Sequence, residues 1–376
     1  MAEVLGPHTI LERALPTGVD GTKIAEWMMQ DGISYSEFAN AAALSLGNFN
    51  ASLVTKWGDL FGVTEEISME YEDGQSVTPL GEIGDTGKPD LIRGLTKGHM
   101  IELTPYGGAI GGSRRYFRDA RAAKIAATIK SITRRAEWRF EQKLLGRLFT
   151  NTETLIGSGG YNVPWAKGSS ATVKFTPPSY SGEDFTQSHN HFVGVNSASL
   201  GFGDLLNQLA ETLDEHGHMA PFIAVVSKAD VAMYNALSNI IKIVSPGIQL
   251  IDRGGATSGA QYFVNGQPNV TNGTFARFQS DYGEIELRAS SRVPTGYAAM
   301  AKSYGVNVPD NPLQVRVHPA EGFGAFIVPE TVDDKQYPIQ SLNIEMELGI
   351  GVGMDRTQGA AGYLVSGGAW ANPTIS

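Results

Sequence analysis

Between Ser113 and Phe149 the apolar residues Ile125, Ile129, Ile132, Ala136, Phe140, Leu144 and Leu148 recur at steps of three and four. That spacing places them on one face of a helix. Ser113 is a residue type that caps helix N-termini, and no Gly or Pro follows it before Gly146. The pattern predicts one helix over 113–149. About 36 residues in that form would extend roughly 54 Å. Most of the steps are four, so the stripe drifts round the rod instead of holding the 3.5-residue seam of a coiled coil.

Upstream the period falls to two. Ile67, Met69 and Tyr71 alternate with polar neighbours, as do His99, Ile101 and Leu103, which predicts two strands. Asp73-Gly74, Gly81, Gly84, Gly87-Lys88-Pro89 and Gly94 lie between them, a run of turn formers. Residues 66–112 therefore read as a long hairpin with a loose tip. An isolated hairpin is marginal in water, and its local sequence offers no covering surface, so a neighbouring subunit is expected to supply one. Residues 1–65 form an arm with helical patterns at Gly21–Gln30 and Tyr35–Leu46, the latter after Ser34.

Residues 150–198, rich in Gly, Ser, Pro and aromatics, read as an excursion with short strands that completes a unit over 113–198. Residues 199–305 carry α/β character. Leu205, Leu206, Leu209 and Leu213 mark a helix, Phe222–Val226 a buried strand and Ala229–Ile241 a second helix. Strands are expected at Gln261–Val264, Thr274–Gln279, Glu284–Ala289 and Tyr297–Ala301. In 306–376 further strands are expected at Leu313–His318, Ala325–Val328, Leu342–Leu348 and Ala361–Ser366. The class is α+β.

Composition supports several units, since 376 residues exceed what one core usually serves. With 45 Gly, 18 Pro and only 18% charged residues, strands, loops and arms are favoured over a helical bundle. The absence of cysteine excludes disulfides, thiolate metal sites and a cysteine nucleophile. No apolar run approaches a membrane span, and Met1–Gly18 lacks the layout of a signal peptide, so folding in a cytoplasm is expected. The net charge of −10 argues against a general nucleic-acid coat.

The distribution of that charge is more informative than its total. From Arg114 to Arg147 eleven basic residues face three acids, Asp119, Glu137 and Glu141. From Glu65 to Asp90 eight acids face one Lys88. A basic rod beside an acidic arm suits a chain that docks on copies of itself. The alternatives are two solvated surfaces or a basic stripe for nucleic acid. The inferred docking residues are Glu70, Glu72, Asp73, Glu82 and Asp85 on the arm, with Arg121, Arg134, Arg135 and Arg139 on the rod.

Catalytic motifs find no support. His189-Asn190-His191 is a bare tripeptide, and His216-Gly217-His218 beside Asp214 and Glu215 reads more simply as a helix C-terminus than as a metal site. Gly84-Asp85-Thr86-Gly87-Lys88 lacks the first phosphate-loop glycine and has Pro89 at the hydroxyl position. Gly349, Gly351 and Gly353 break the dinucleotide pattern with Met354 and Arg356. No Gly-x-Ser-x-Gly elbow occurs. No catalytic residue, metal ligand or cofactor is assigned, and the chain is not expected to be an enzyme.

This order of elements resembles the major capsid proteins of tailed bacteriophages, the Hong Kong 97-like fold. The resemblance rests on the 113–149 helix entered through Gly111-Gly112-Ser113, on Leu342–Gly353, and on Phe175-Thr176-Pro177-Pro178 through His189–Phe192. It implies that 66–112 is an extended loop lying across a neighbour and that 113–149 is the spine of a peripheral domain. It further implies an axial domain over 199–305 and return strands completing the peripheral domain over 306–376. The implied function is self-assembly into hexamers and pentamers of an icosahedral virion shell around double-stranded DNA, bound without sequence specificity. The implied partners are a separate scaffold protein, or none, a portal and decoration proteins, with no membrane. Only about 64 residues precede the loop, so an uncleaved chain assembling in the host cytoplasm is expected. Lys88 and Lys97 are placed where some relatives form isopeptide links. A shell of the encapsulin type, or a nucleic-acid-binding protein using helix 114–147, are the competing readings.

Overall fold

The computed structural model describes residues 30–31, 35–74, 95–113, 116, 119–157, 159–245, 248–252, 261–265, 273–329 and 339–375. Helix and sheet are mixed, and the chain divides into two compact units. One comprises 1–54, 103–140 and 317–349, the other 55–102, 141–316 and 350–376.

The first unit centres on the long strand Ile339–Val352. Thr104–Ser113 pairs with it antiparallel along ten residues, and Ala325–Pro329 pairs antiparallel on its other side. Helix α1, Tyr35–Trp57, buries Ala42, Leu46 and Leu53. It is longer than the 35–46 pattern because Leu53 and Trp57 continue the buried face past an exposed Gly47. Asn50 links it to a strand: its Nδ2 donates to the Ala325 carbonyl (3.1 Å) and its Oδ1 accepts from the Ala325 N–H (2.8 Å). Helix α2 is Ala122–Phe149, about 42 Å at 1.5 Å per residue. Its first turn is capped from afar, with the Ala122 N–H donating to Asp31 Oδ2 at 3.0 Å.

Two expectations change here. Ser113 does not cap α2; it ends the 104–113 strand opposite Ile339. The glycines before it, which read as a helix entry, sit in a ten-residue ladder that uses their backbone groups. The rod is therefore shorter at its start than the 113–149 pattern implied. Of the basic residues at that start, Arg114, Arg115 and Arg118 lie outside the described residues.

The second unit holds a nine-stranded mixed sheet. Its order is Gln261–Asn265, Ile248–Asp252, Ile240–Ser245, Thr274–Ser280, Gly283–Ser290, Phe222–Ser227, Tyr297–Lys302, Gly359–Val365 and Phe192–Asn196. The 283–290/222–227 and 359–365/192–196 pairs are parallel and the others antiparallel. Helix α3, Phe202–Asp214, lays Leu205, Leu206, Leu209 and Leu213 on one face of the sheet. Phe222, Ala224, Val226, Ile285, Leu287 and Met300 meet them there. This is the amphipathic stripe expected from the leucine spacing. A parallel pair, Phe61–Thr64 with Leu313–Arg316, lies in the same unit.

The helix expected over Ala229–Ile241 reduces to one turn, Val231–Tyr234, after a 3₁₀ turn at Lys228–Asp230. Ile240–Ser245 is instead a strand between 248–252 and 274–280, as its β-branched Ile240, Ile241, Ile243 and Val244 favour. The closing strand also lies elsewhere than expected. Residues 359–365 join the nine-stranded sheet between 297–302 and 192–196, so not all the return strands serve one unit. Their small residues explain the placement: a Cβ on Gly362 would stand 2.4 Å from Leu205 Cδ1, so only glycine lets α3 sit this close.

Two glycine substitutions should have opposite signs. A Cβ on Gly194 would fall 2.1 Å from the Gly368 carbonyl oxygen, a backbone atom that cannot rotate away. Gly194→Ala should destabilise the folded chain by about 1–3 kcal/mol. A Cβ on Gly47, inside α1, meets nothing within 4 Å, and Gly47→Ala should stabilise by up to about 1 kcal/mol. Denaturant unfolding of the two variants checks both signs.

Candidate assembly surface

The hairpin forms from Ser68–Glu72 paired antiparallel with Thr96–Met100, with Met69 opposite His99 and Tyr71 opposite Lys97. Alternation sends Met69 and Tyr71 inward and leaves Glu70 and Glu72 exposed on the other face. The inward face is covered by the chain itself, contrary to the expectation that a neighbour must cover it. Tyr71 meets Phe175 edge-on at 5.3 Å between ring centroids. Arg356, fully buried, places its guanidinium 4.6 Å from the Phe175 ring and 5.2 Å from the Tyr71 ring. It donates from Nε to the Pro164 carbonyl (3.0 Å) and from Nη1 to the Tyr71 hydroxyl (3.2 Å). Burial lowers its pKa, and the Tyr71 hydroxyl, Glu153 and Asp73 act in the opposite sense. His99, also buried, donates from Nε2 to the Val352 carbonyl at 3.0 Å. Burial pushes its pKa down to about 3, so the ring is neutral.

The inferred docking residues separate into distinct groups. Asp73 is engaged within the chain, pairing with Lys97 Nζ at 2.7 Å and accepting the Thr176 N–H at 2.9 Å. Glu82, Asp85 and Lys88 lie outside the described residues. On the rod, Arg121, Arg134 and Arg135 are exposed. Arg139 is half-buried, its guanidinium 5.2 Å from the Tyr106 ring and 5.9 Å from the Trp138 ring. At 100° per residue, Lys130 and Arg134 point away from buried Ile125 and Ile129, and Arg135 stands to the side, about 80° round from Ile125. Between them Trp138 is 41% exposed, an aromatic on the basic face that charge counting overlooked.

Two charges of the rod are structural. Arg147 is buried and donates from Nη2 to the carbonyls of Thr150 (2.7 Å) and Thr152 (3.2 Å), its pKa lowered by burial to about 10. Glu141, also buried, receives Lys56 Nζ, Trp57 Nε1 (3.3 Å) and Arg292 Nε (2.6 Å). Burial alone would raise its pKa, but the hydrogen bonds from Lys56 and Arg292 prevail and lower it.

Among the described residues one trio could hold a metal ion: His189, His191 and His216, with ligand nitrogens all within 4.8 Å of one another. The two histidine tripeptides, which read separately as a loop and a helix end, meet in space. Nothing in the local spacing announces this, because His191 and His216 stand 25 positions apart and meet only once the chain has folded. No helix among the described residues is long and apolar enough to cross a membrane.

No family model matches the chain, and no curated protein matches it significantly. Among solved structures it is similar to one from Mycobacterium phage Patience, with a TM-score of 0.62 and 20% identity over 93% of each chain. It also aligns with the capsid of a native GTA particle, at a TM-score of 0.46 and 10% identity over 83% of this chain and 90% of that one. The mature capsid of bacteriophage PhiM1 aligns at 0.44 and 12% identity over 81% and 86%. The first of these establishes a shared fold along nearly the whole chain.

Arg356→Leu should leave the Tyr71 hydroxyl and the carbonyls of Pro164 and Trp165 without this donor, at a cost on the order of 3 kcal/mol. Limited proteolysis should then cut within 66–102 before the rest of the chain, whereas Arg356→Lys should protect only partly. Glu141→Gln should lower stability most at neutral pH. The ion pairs form with the carboxylate, so the gap from wild type should shrink as pH falls below about 4.5, the ordinary value of the group. Thermal unfolding across pH 3–7 measures that gap.

Proposed function

We propose that this chain is a major capsid protein of Hong Kong 97-like fold that self-assembles into the shell of a tailed phage. The observation that carries the reading is the fold shared with the Mycobacterium phage Patience structure over 93% of both chains. The sequence resemblance points the same way from the order of elements alone. In this reading 66–112 is the extended loop, α2 the spine of the peripheral domain, and the sheet around 199–305 the core of the axial domain. Hexamers and pentamers of the chain close around double-stranded DNA. A scaffold protein, a portal and decoration proteins are its assembly partners.

The segregated charge gains a role within this proposal. Glu70 and Glu72, exposed on the outward face of the hairpin, cross the basic face of α2 in the next subunit, where Arg134, Arg135 and Trp138 stand exposed. An aromatic among arginines is the composition of an interface centre. Each exposed ion pair contributes only about 0–1 kcal/mol. Repeated round a closed shell, such pairs fix register and speed encounter more than they add affinity.

Arg134→Glu with Arg135→Glu should leave folded subunits by circular dichroism but no closed particles by negative-stain microscopy and sedimentation. Arg139 is best left in place, since it packs on Tyr106 and Trp138. Adding Glu70→Arg and Glu72→Arg should restore particles. Normal shells from the first double variant would refute the docking role, and a monomer of the wild-type chain under every condition, with and without scaffold, would refute the capsid reading. DNA inside native particles, rather than protein cargo, separates a virion shell from an encapsulin-type compartment.

A further inference from the structure

The nitrogens of three imidazoles converge in the second unit in a way that hydrogen bonding alone does not satisfy. His216 Nε2 lies 3.0 Å from His191 Nε2 and 2.9 Å from His189 Nε2. His191 Nδ1 lies 2.8 Å from the Gly359 carbonyl oxygen. A carbonyl only accepts, so Nδ1 carries the proton and His191 Nε2 presents a lone pair to the centre. Neutral His216 can direct at most one proton from Nε2. If it donates to His191, it has no lone pair left for His189; if it accepts from His189, it sets a lone pair against that of His191. In either tautomer one of the two contacts lacks a hydrogen bond of its own. His216 Nδ1 is buried without a hydrogen-bond partner among the described residues, so nothing fixes the tautomer of that ring.

We propose that His189, His191 and His216 bind one divalent transition-metal ion of the zinc class through their Nε2 atoms. A cation accepts all three lone pairs at once and removes the conflict. Zn²⁺ bound to imidazole at about 2.0–2.1 Å in a tetrahedron needs nitrogens roughly 3.4 Å apart. The 2.9 and 3.0 Å contacts would open by about 0.4 Å, and the third separation, His189 to His191, within 4.8 Å, would close toward the same value. The hydrogen bond to Gly359 is the outer partner that orients a metal-bound histidine.

The fourth position is open to water or to Glu215, whose Oε2 lies 4.0 Å from His189 Nε2. Glu211, Glu183 and Asp214 act electrostatically on Glu215, so several carboxylates gather on this side of the trio. Burial lowers the pKa of all three histidines, that of His216 to about 3, which keeps them neutral as ligands must be. Phe185 shields one side, its ring 4.3 Å from that of His216 and 4.9 Å from that of His189.

The backbone holds the trio in place. His216 follows the end of α3, where the N–H of His218 reaches the Leu213 carbonyl and the N–H of Gly217 reaches Asp214. Gly217 supplies the left-handed conformation, φ +82°, that this closure needs. His189 and His191 flank Asn190, whose side chain bonds the Phe192 backbone at both N–H and carbonyl. A metal here would tie the 186–192 loop to the end of α3. The site stands apart from the assembly reading and can be tested on unassembled chain.

The full chain, without an oligohistidine tag and stripped with EDTA, should take up one Zn²⁺ or Co²⁺ per chain. The Co²⁺ form should show the strong visible absorption of a tetrahedral nitrogen site, and Zn²⁺ should raise Tm. His189→Asn, at the half-buried and most tolerant of the three, and His216→Ala should each weaken binding by more than about 100-fold. His218→Asn, at a neighbour that instead bonds Thr357 at 2.8 Å, should bind as wild type does. No stoichiometric uptake by folded wild-type chain would overturn the proposal. So would unchanged binding in folded His189→Asn, or loss of binding in folded His218→Asn alone.

Discussion

The second unit depends on one buried cation that has no carboxylate of its own. Arg356 is dissolved in carbonyls, a phenol hydroxyl and two aromatic faces. Removing a guanidinium from water is costly, and here cation–π contacts and charge-assisted hydrogen bonds offset that cost. Its partners come from three separate stretches: Tyr71 of the hairpin, Pro164 and Trp165, and Phe175. The hairpin base cannot hold together by itself, and this arginine anchors it together with the His99 bond to Val352 and the Asp73 bond to Thr176. Gly359, three residues on, continues the same junction, since a Cβ there would stand 2.5 Å from the Trp165 ring.

Charge in this chain serves two ends, and burial divides them. Asp59 with Arg288, buried Glu141 with Lys56 and Arg292, and buried Arg147 with its carbonyls are engaged within the chain. The first two join elements distant in sequence and fix how those elements meet, while Arg147 closes the chain just past the end of α2. Arg134, Arg135, Glu70 and Glu72 remain on exposed faces, where attraction is weak and screened but reaches other molecules. In the proposed shell both kinds would serve, the buried pairs holding each subunit in one shape and the exposed ones keeping each contact weak.

Much of this was legible in the sequence, because local periodicity reports local burial. The α2 stripe, the leucine face of α3, the alternation at Met69 and Tyr71, and most strands follow from spacing that one element imposes on itself. The errors have physical causes. Residues 229–241 read as a helix, but their β-branched end at Ile240 and Ile241 belongs to a strand that neighbours in the sheet stabilise. Ser113 read as a cap because its hydroxyl suits one, while its backbone was already committed to a ladder with Ile339.

Sequence by itself determined the α+β class, the absence of thiol chemistry and the segregation of charge, since composition and short-range pattern contain all three. Only the tertiary structure decided which charges face inward, that the hairpin base rests on its own chain, and that two ordinary histidine tripeptides converge. Those outcomes depend on pairings between residues tens to hundreds of positions apart. Such pairings follow from how the sheet and the hairpin close, and no local spacing encodes them.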